Sequence, residues 1–178
     1  MHSKPCEIRT RRLVMKALED RDRESLLRMA KDEQIGKTYM MPVFRDQEQE
    51  DAFFRRLRDL SGAKDRFVFG IFLEGELIGF LNDCGIREGT VELGYFISPE
   101  HWNQGYAAEA LQASIDTLFR MGFARVRAGC FEGNAASRRV MEKCGMQETE
   151  DAEDVEYRGR VHRCLFREIR RGQGTGGE

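Results

Sequence analysis

The stretch Trp102-Asn103-Gln104-Gly105-Tyr106-Ala107-Ala108-Glu109 decides how the chain is read, because the hydrophobic period changes across it. Before it, Thr90 to Ser98 reads as a strand that Pro99 closes, since proline cannot continue a ladder. After it, Ala107, Ala108, Leu111, Ile115, Leu118 and Phe119 recur at helical spacing until Gly122. A helix that begins here leaves about four backbone N–H groups unpaired and carries about half a positive charge, which together suit a diphosphate. Gly105 allows close backbone approach, and small Ala107 and Ala108 keep the first turn unobstructed. Taken alone, the octapeptide equally suits an ordinary helix start with a small packing face. It has only one of the three glycines of a dinucleotide-binding turn, so that reading is disfavoured.

Outward from this point the periods alternate. Glu7 to Leu18 reads as a first strand running into a helix start at Glu19-Asp20-Arg21-Asp22, and Leu26, Leu27, Met29 and Ala30 give that helix an apolar face. Gln47 to Leu60 is a second helix with Phe53, Phe54, Leu57 and Leu60 on one side, and the apolar loop Tyr39 to Phe44 lies between the two. Arg66 to Leu73 and Glu76 to Asp83 are β-branched and aromatic runs joined by Glu74-Gly75, the length of a tight hairpin loop, and Glu88-Gly89 makes the next turn. Beyond the central helix come a strand at Arg125 to Cys130, a helix that Asn134 can cap and Gly145 can end, and late strands near Val155 to Tyr157 and Val161 to Ile169.

The order β-α-α-β-β-β-α-β-α-β-β predicts an α+β fold, helices packed on a mixed, largely antiparallel sheet. One domain over residues 1–171 is expected, with a mobile tail at 172–178 that has no apolar anchor. With 29 Lys+Arg against 31 Asp+Glu, the net charge of -2 supplies no global field for a phosphate polymer, so nucleic acid is not an expected partner. No stretch approaches the ~18 apolar residues of a membrane span, and Met1 to Lys16 has no signal-type apolar run, so a cytoplasmic protein is expected. Cys6, Cys84, Cys130, Cys144 and Cys164 stand singly, without zinc-type spacing, and read as reduced, small hydrophobes.

Four runs in order, Glu92-Leu93-Gly94-Tyr95-Phe96-Ile97-Ser98-Pro99, Trp102 to Ala110, Gly133-Asn134-Ala135-Ala136-Ser137 and Glu142-Lys143-Cys144-Gly145-Met146, closely resemble the GNAT superfamily of N-acetyltransferases, specifically its RimJ/RimL-type branch. One departure stands out: Trp102 occupies a place where the superfamily commonly has Arg or Gln, so no side-chain phosphate contact is expected there. The resemblance implies acetyl-CoA as co-substrate, no metal, and an amine acceptor, either a protein N-terminal α-amine or a small polyamine-like amine. It implies cofactor contacts at Phe96, Ile97, Asn103, Gln104, Gly105, Tyr106, Ala107, Ala108 and Asn134. It also implies a pantetheine arm lying between the strand of Gly94 and the strand Arg125 to Cys130, with amides near Phe96 and Ile97 polarising the thioester carbonyl. Gly94 inside a strand suggests a bulge that splays the two apart, or else room for a packed helix.

Direct attack needs a neutral amine, whereas an alkyl ammonium has a pKa near 10, so a base is required. Glu92, at a position that resembles the superfamily's base, is the candidate, with an exposed cross-strand ion pair as its other reading. Ser137 matches the serine proposed in that branch to reprotonate the leaving thiolate, while Asn134 and Ser137 also make sense as helix cap and first-turn residues. A catalytically silent CoA-binding module of the same fold is the alternative function. Six carboxylates, Glu148, Glu150, Asp151, Glu153, Asp154 and Glu156, form either a solvated loop or an acidic mouth that draws in a cationic acceptor.

Overall fold

The computed structural model describes residues 3–172; the tail expected to be mobile lies outside the described residues beyond Gly172. Eight strands form one sheet in the order β1-β2-β3-β4-β5-β6-β8-β7. They are β1 Glu7–Arg9, β2 Leu13–Lys16, β3 Phe69–Leu73, β4 Glu76–Arg87, β5 Thr90–Ile97, β6 Arg125–Phe131, β7 Gln147–Tyr157 and β8 Arg160–Arg170. The helices are α1 Arg23–Ala30, α2 Glu33–Gly36, α3 Gln47–Gly62, α4 Tyr106–Arg120 and α5 Ala135–Lys143. Every strand pair is antiparallel except β5 with β6. The mixed, largely antiparallel α+β reading therefore holds. None of these helices is long and apolar enough to cross a membrane.

Three local features depart from the sequence reading. The first strand is a hairpin: the chain folds back at Thr10, whose hydroxyl accepts from the Leu13 amide, so Glu7 pairs with Lys16. Asp32 caps an extra turn, α2, by accepting from the amides of Gln34 and Ile35. The acidic run is part of β7 rather than a loop; its pairing with β8 slips between Glu148 and Ala152. Period-2 hydrophobicity was hidden there because β7 is the sheet edge and only Thr149, Val155 and Tyr157 are better than exposed.

The sheet separates two apolar layers. On one face Val91, Leu93, Val126 and Ala128 pack with Leu111, Ile115 and Leu118 of α4 and Met141 of α5. On the other, Phe72, Phe80 and Phe96 pack with Leu26 and Met29 of α1, Ile35 of α2 and Phe54 of α3. Along β5, odd-numbered side chains therefore face α4 and α5, and even-numbered ones face α1 to α3.

Candidate active site

The parallel ladder between β5 and β6 has four rungs, Thr90 with Arg125 through Leu93 with Ala128, and then stops. Both strands continue, β5 to Ile97 and β6 to Phe131, held by their other neighbours. The amide of Ser98 donates to the Ile78 carbonyl, so by alternation Gly94 and Phe96 direct their backbone polar groups at β4, while Tyr95 and Ile97 direct theirs at the space where β6 has moved away. The ring of Phe96 lines the cleft, but the amides open toward the gap belong to Tyr95 and Ile97. The irregularity expected at Gly94 sits on the neighbouring strand: β4 has Cys84 as an extra residue opposite Glu92 and Leu93. Gly94 itself is closely approached: a Cβ would lie 3.0 Å from Cys84 Sγ and 3.2 Å from the Tyr39 hydroxyl, so either side chain would have to give way by a few tenths of an ångström.

A cleft of about 350 Å³ runs from this gap to the start of α4. Gly105 is the N-cap residue at φ 82°, left-handed, with no side-chain cap, so the first amides of α4 remain available. The turn is braced from the N-terminal hairpin. Glu109 accepts from the Thr10 hydroxyl at 2.6 Å, from the Arg12 amide at 2.9 Å and from Arg12 Nε at 2.7 Å. Arg12 also donates to the Gln104 carbonyl and lies over the Tyr106 ring. Burial alone would raise the pKa of Glu109, but these hydrogen bonds and the guanidinium together hold it below the usual carboxylate range. Trp102 ties the turn to the strand by donating from Nε1 to the Ile97 carbonyl at 2.7 Å. Asn103, Tyr106, Ala107 and Ala108 line the cleft; Gln104 does not, its exposed side chain donating to Glu100 instead. Arg139 and Lys143 of α5 face the cleft and add positive charge where a phosphate chain would lie.

The α5 side supplies hydroxyls. The Asn134 carboxamide accepts from the Ser137 amide at 3.1 Å, capping the helix, and both residues line the cleft. Ser137 Oγ is 2.9 Å from the Tyr95 hydroxyl. Burial pushes the Tyr95 phenol above its ordinary pKa, so it stays protonated. Sequence reading missed Tyr95: nothing in its motif marks a strand tyrosine as a hydroxyl partner, though its place one residue beyond the strand glycine was visible. The five cysteines are free, and burial pushes the Cys84 thiol up to about 11 and that of Cys144 up to about 12.

Glu92 stands on the opposite face of β5, just before the gap. Its carboxylate is 3.3 Å from Arg127 Nε, and Arg127 is itself bound to Asp151 at 2.6 Å and stacked over the Phe166 ring. Burial raises the Glu92 pKa, Arg127 pulls it down, and Glu153 pushes it up, with a net upward shift. Ser137 lines the cleft, whereas Glu92 does not: it sits on a paired rung of the ladder, two residues before Gly94. Of the acidic run, Asp151 pairs with Arg127 and Glu153 acts electrostatically on Glu92, and none of the six carboxylates lines this cleft. Tyr157, another residue no motif marked, locks β7 onto the loop beside α2: its hydroxyl donates to the Gly36 carbonyl and accepts from the Met41 amide.

A family model described as "Acetyltransferase (GNAT) domain" matches residues 12–147. The uncharacterized N-acetyltransferase YnaD of Bacillus subtilis (strain 168) is 32% identical over 146 residues, which cover 79% of this chain and 82% of that protein. The crystal structure of a GNAT-family acetyltransferase from Bacillus anthracis is 28% identical with a TM-score of 0.79, covering 92% of this chain and 98% of that one. RimJ of Mycobacterium smegmatis, solved with CoA-disulfide, has a TM-score of 0.81 at 20% identity over 96% of this chain and 90% of its own; that likeness concerns the fold.

Proposed function

The chain belongs to the GNAT acetyltransferase family, an enzyme that uses acetyl-CoA, and from that premise we propose that it acetylates a primary amine by direct attack, in the manner of the RimJ/RimL branch. The observation that supports this most is the opening of the β5–β6 ladder after Leu93, with Ser137 and Tyr95 on one face and Glu92 on the other.

In this reading the CoA diphosphate rests on the first amides of α4, with Gly105, Tyr106, Ala107 and Ala108 against it and Asn103 alongside. The pantetheine arm enters the gap near Asn134, and the thioester carbonyl faces the Ile97 amide, which strengthens its hold as the oxygen gains charge. Glu92 takes a proton from the acceptor ammonium, directly or through water. The amine nitrogen then bonds to the acetyl carbon, the tetrahedral intermediate collapses, and the C–S bond breaks. Ser137 gives its proton to the CoA thiolate and regains one, through water, from the nitrogen, which must lose its second proton to become a neutral amide; the Tyr95 hydroxyl, 2.9 Å away, stays protonated and steadies the serine oxygen by hydrogen bonding. The upward shift of Glu92 suits a base, since a carboxylate nearer neutral binds a proton more strongly than an ordinary one. Thiol release from acetyl-CoA with a panel of primary amines tests the proposal. Turnover with at least one amine is expected; tight acetyl-CoA binding with no amine consumed would refute it.

A further inference from the structure

Taking the opening at Gly94 as the transfer point, as the proposed function does, we propose that a second cavity beside it is the acceptor pocket, and that it selects amines carrying an apolar body and an anionic group. This cavity, of about 320 Å³, lies between α3, the loop after α2 and strand β4. That size falls in the range of small-ligand sites. It shares Tyr39 and Phe96 with the CoA cleft, so the two spaces meet beside Gly94. Tyr39 forms the partition: its hydroxyl donates to Asn82 at 2.5 Å and its ring packs edge-on against Phe96 at 5.1 Å.

The lining sets the chemistry. Phe53, Leu57 and Leu60 present one apolar stripe of α3, Val68 and Phe80 form the floor, and Met40 and Met41 supply flexible thioethers that adapt to an aromatic or aliphatic body. Two guanidiniums also line it. Arg66 is committed, held to the buried Asp83 at 2.6 Å. Arg56 lies in the same helical stripe, one turn from Phe53 and Leu60, is exposed, and has no carboxylate within 4.0 Å among the described residues. A guanidinium left without a partner at the mouth of an apolar pocket matches a carboxylate or a phosphate-type group. The same charge disfavours a polyamine, and the carboxylates of β7 that would attract one line neither cavity.

The test compares thiol release with phenylalanine, phenylalaninamide, the aminophosphonate analogue of phenylalanine, spermidine and a basic N-terminal peptide, for the intact chain and for Arg56→Glu. Phenylalanine or its phosphonate is expected to have a KM about tenfold below that of the amide, one decade of binding. Whichever of the two acids is lower identifies a carboxylate or a phosphate-type group. Arg56→Glu should close the gap between acid and amide while calorimetry with acetyl-CoA shows no change. A preference for spermidine or the peptide, or acids and amide indifferent to Arg56→Glu, overturns the proposal. Calorimetry with N-acetylphenylalanine in the presence of CoA reads the pocket without turnover. Binding that Arg56→Glu weakens supports the pocket even if no amine is consumed, in which case the transfer reading is what fails; no binding to the intact chain overturns the pocket.

Discussion

The two cavities that meet at Tyr39 and Phe96 are built from different materials. The cleft proposed for CoA is shaped by main chain: a left-handed glycine, the start of a helix and two strands that part company. Its neighbour is made of side chains from α3 and a loop. Main-chain sites demand particular residues, because only glycine or alanine lets a backbone come close, so they leave a fixed pattern in sequence. Side-chain pockets need only apolar bulk of the right volume, which many sequences supply. A cofactor site is therefore readable where an acceptor site is not.

Seven substitutions sharpen or break that contrast. The largest effect should come at the opening itself: Glu92→Gln is expected to lower kcat by about a hundredfold to ten-thousandfold, the usual contribution of a general base, with acetyl-CoA affinity intact. In the proposed mechanism the acid limb of the pH–rate profile should follow Glu92, activity rising as it loses its proton. Arg127 holds the Glu92 pKa down and Glu153 pushes it up, so Arg127→Ala should move the limb to higher pH and Glu153→Gln to lower pH. A limb unmoved by either change would assign the base elsewhere.

Next in size, Gly105→Asp tests the main-chain site. It puts a Cβ at positive φ, 3.3 Å from the Arg12 guanidinium, and a carboxylate where phosphate should sit. Acetyl-CoA affinity should fall on the order of a hundredfold by calorimetry, two decades at about 1.4 kcal/mol each. Unchanged affinity in the folded variant would move the phosphate site away from α4. Ser137→Ala should reduce kcat about tenfold with an unaltered KM for acetyl-CoA, the mark of an interaction made in the transition state. Tyr95→Phe should give a smaller loss of the same kind. If Ser137→Ala instead lowers Tm at normal kcat, its hydroxyl serves only to hold α5 to β5 through Tyr95. The smallest effect is Asn134→Ala, which removes the cap on the Ser137 amide and should cost about 1 kcal/mol of stability in thermal unfolding.

The order of elements was legible because the chain switches cleanly between periods of 2 and 3.6, and turns at Glu74-Gly75 and Glu88-Gly89 both take left-handed conformations. The glycine turn, Asn134 and Ser137 were legible as a motif, and the structure brings Asn134, Ser137, Ile97 and Gly105 around one cleft. What escaped was of another kind. The brace of Thr10, Arg12 and Glu109 joins residues 97 and more apart in sequence, and no local pattern records such a contact. Tyr95 and Tyr157 look like ordinary strand aromatics until their hydroxyls are seen to end on Ser137 and on Gly36. The end of β7 was read at Val155 to Tyr157, but its longer part, from Gln147 to Asp154, was hidden by its own charge, since an exposed edge needs no alternation of apolar residues.

That edge has a bearing on how the protein behaves in bulk solution. A sheet ending in an eleven-residue strand offers another chain a row of open hydrogen-bonding groups, and the opposite edge, β1, has only three residues to offer. Six carboxylates along β7 give two such edges like charge, which disfavours their pairing. Salt weakens such repulsion, because it shortens the screening length to about 8 Å at physiological strength and further above it. Reversible clouding at high salt, cleared by dilution and brought on at lower salt by neutralising Glu150, Glu153 and Asp154, is the expected consequence of so long an exposed edge.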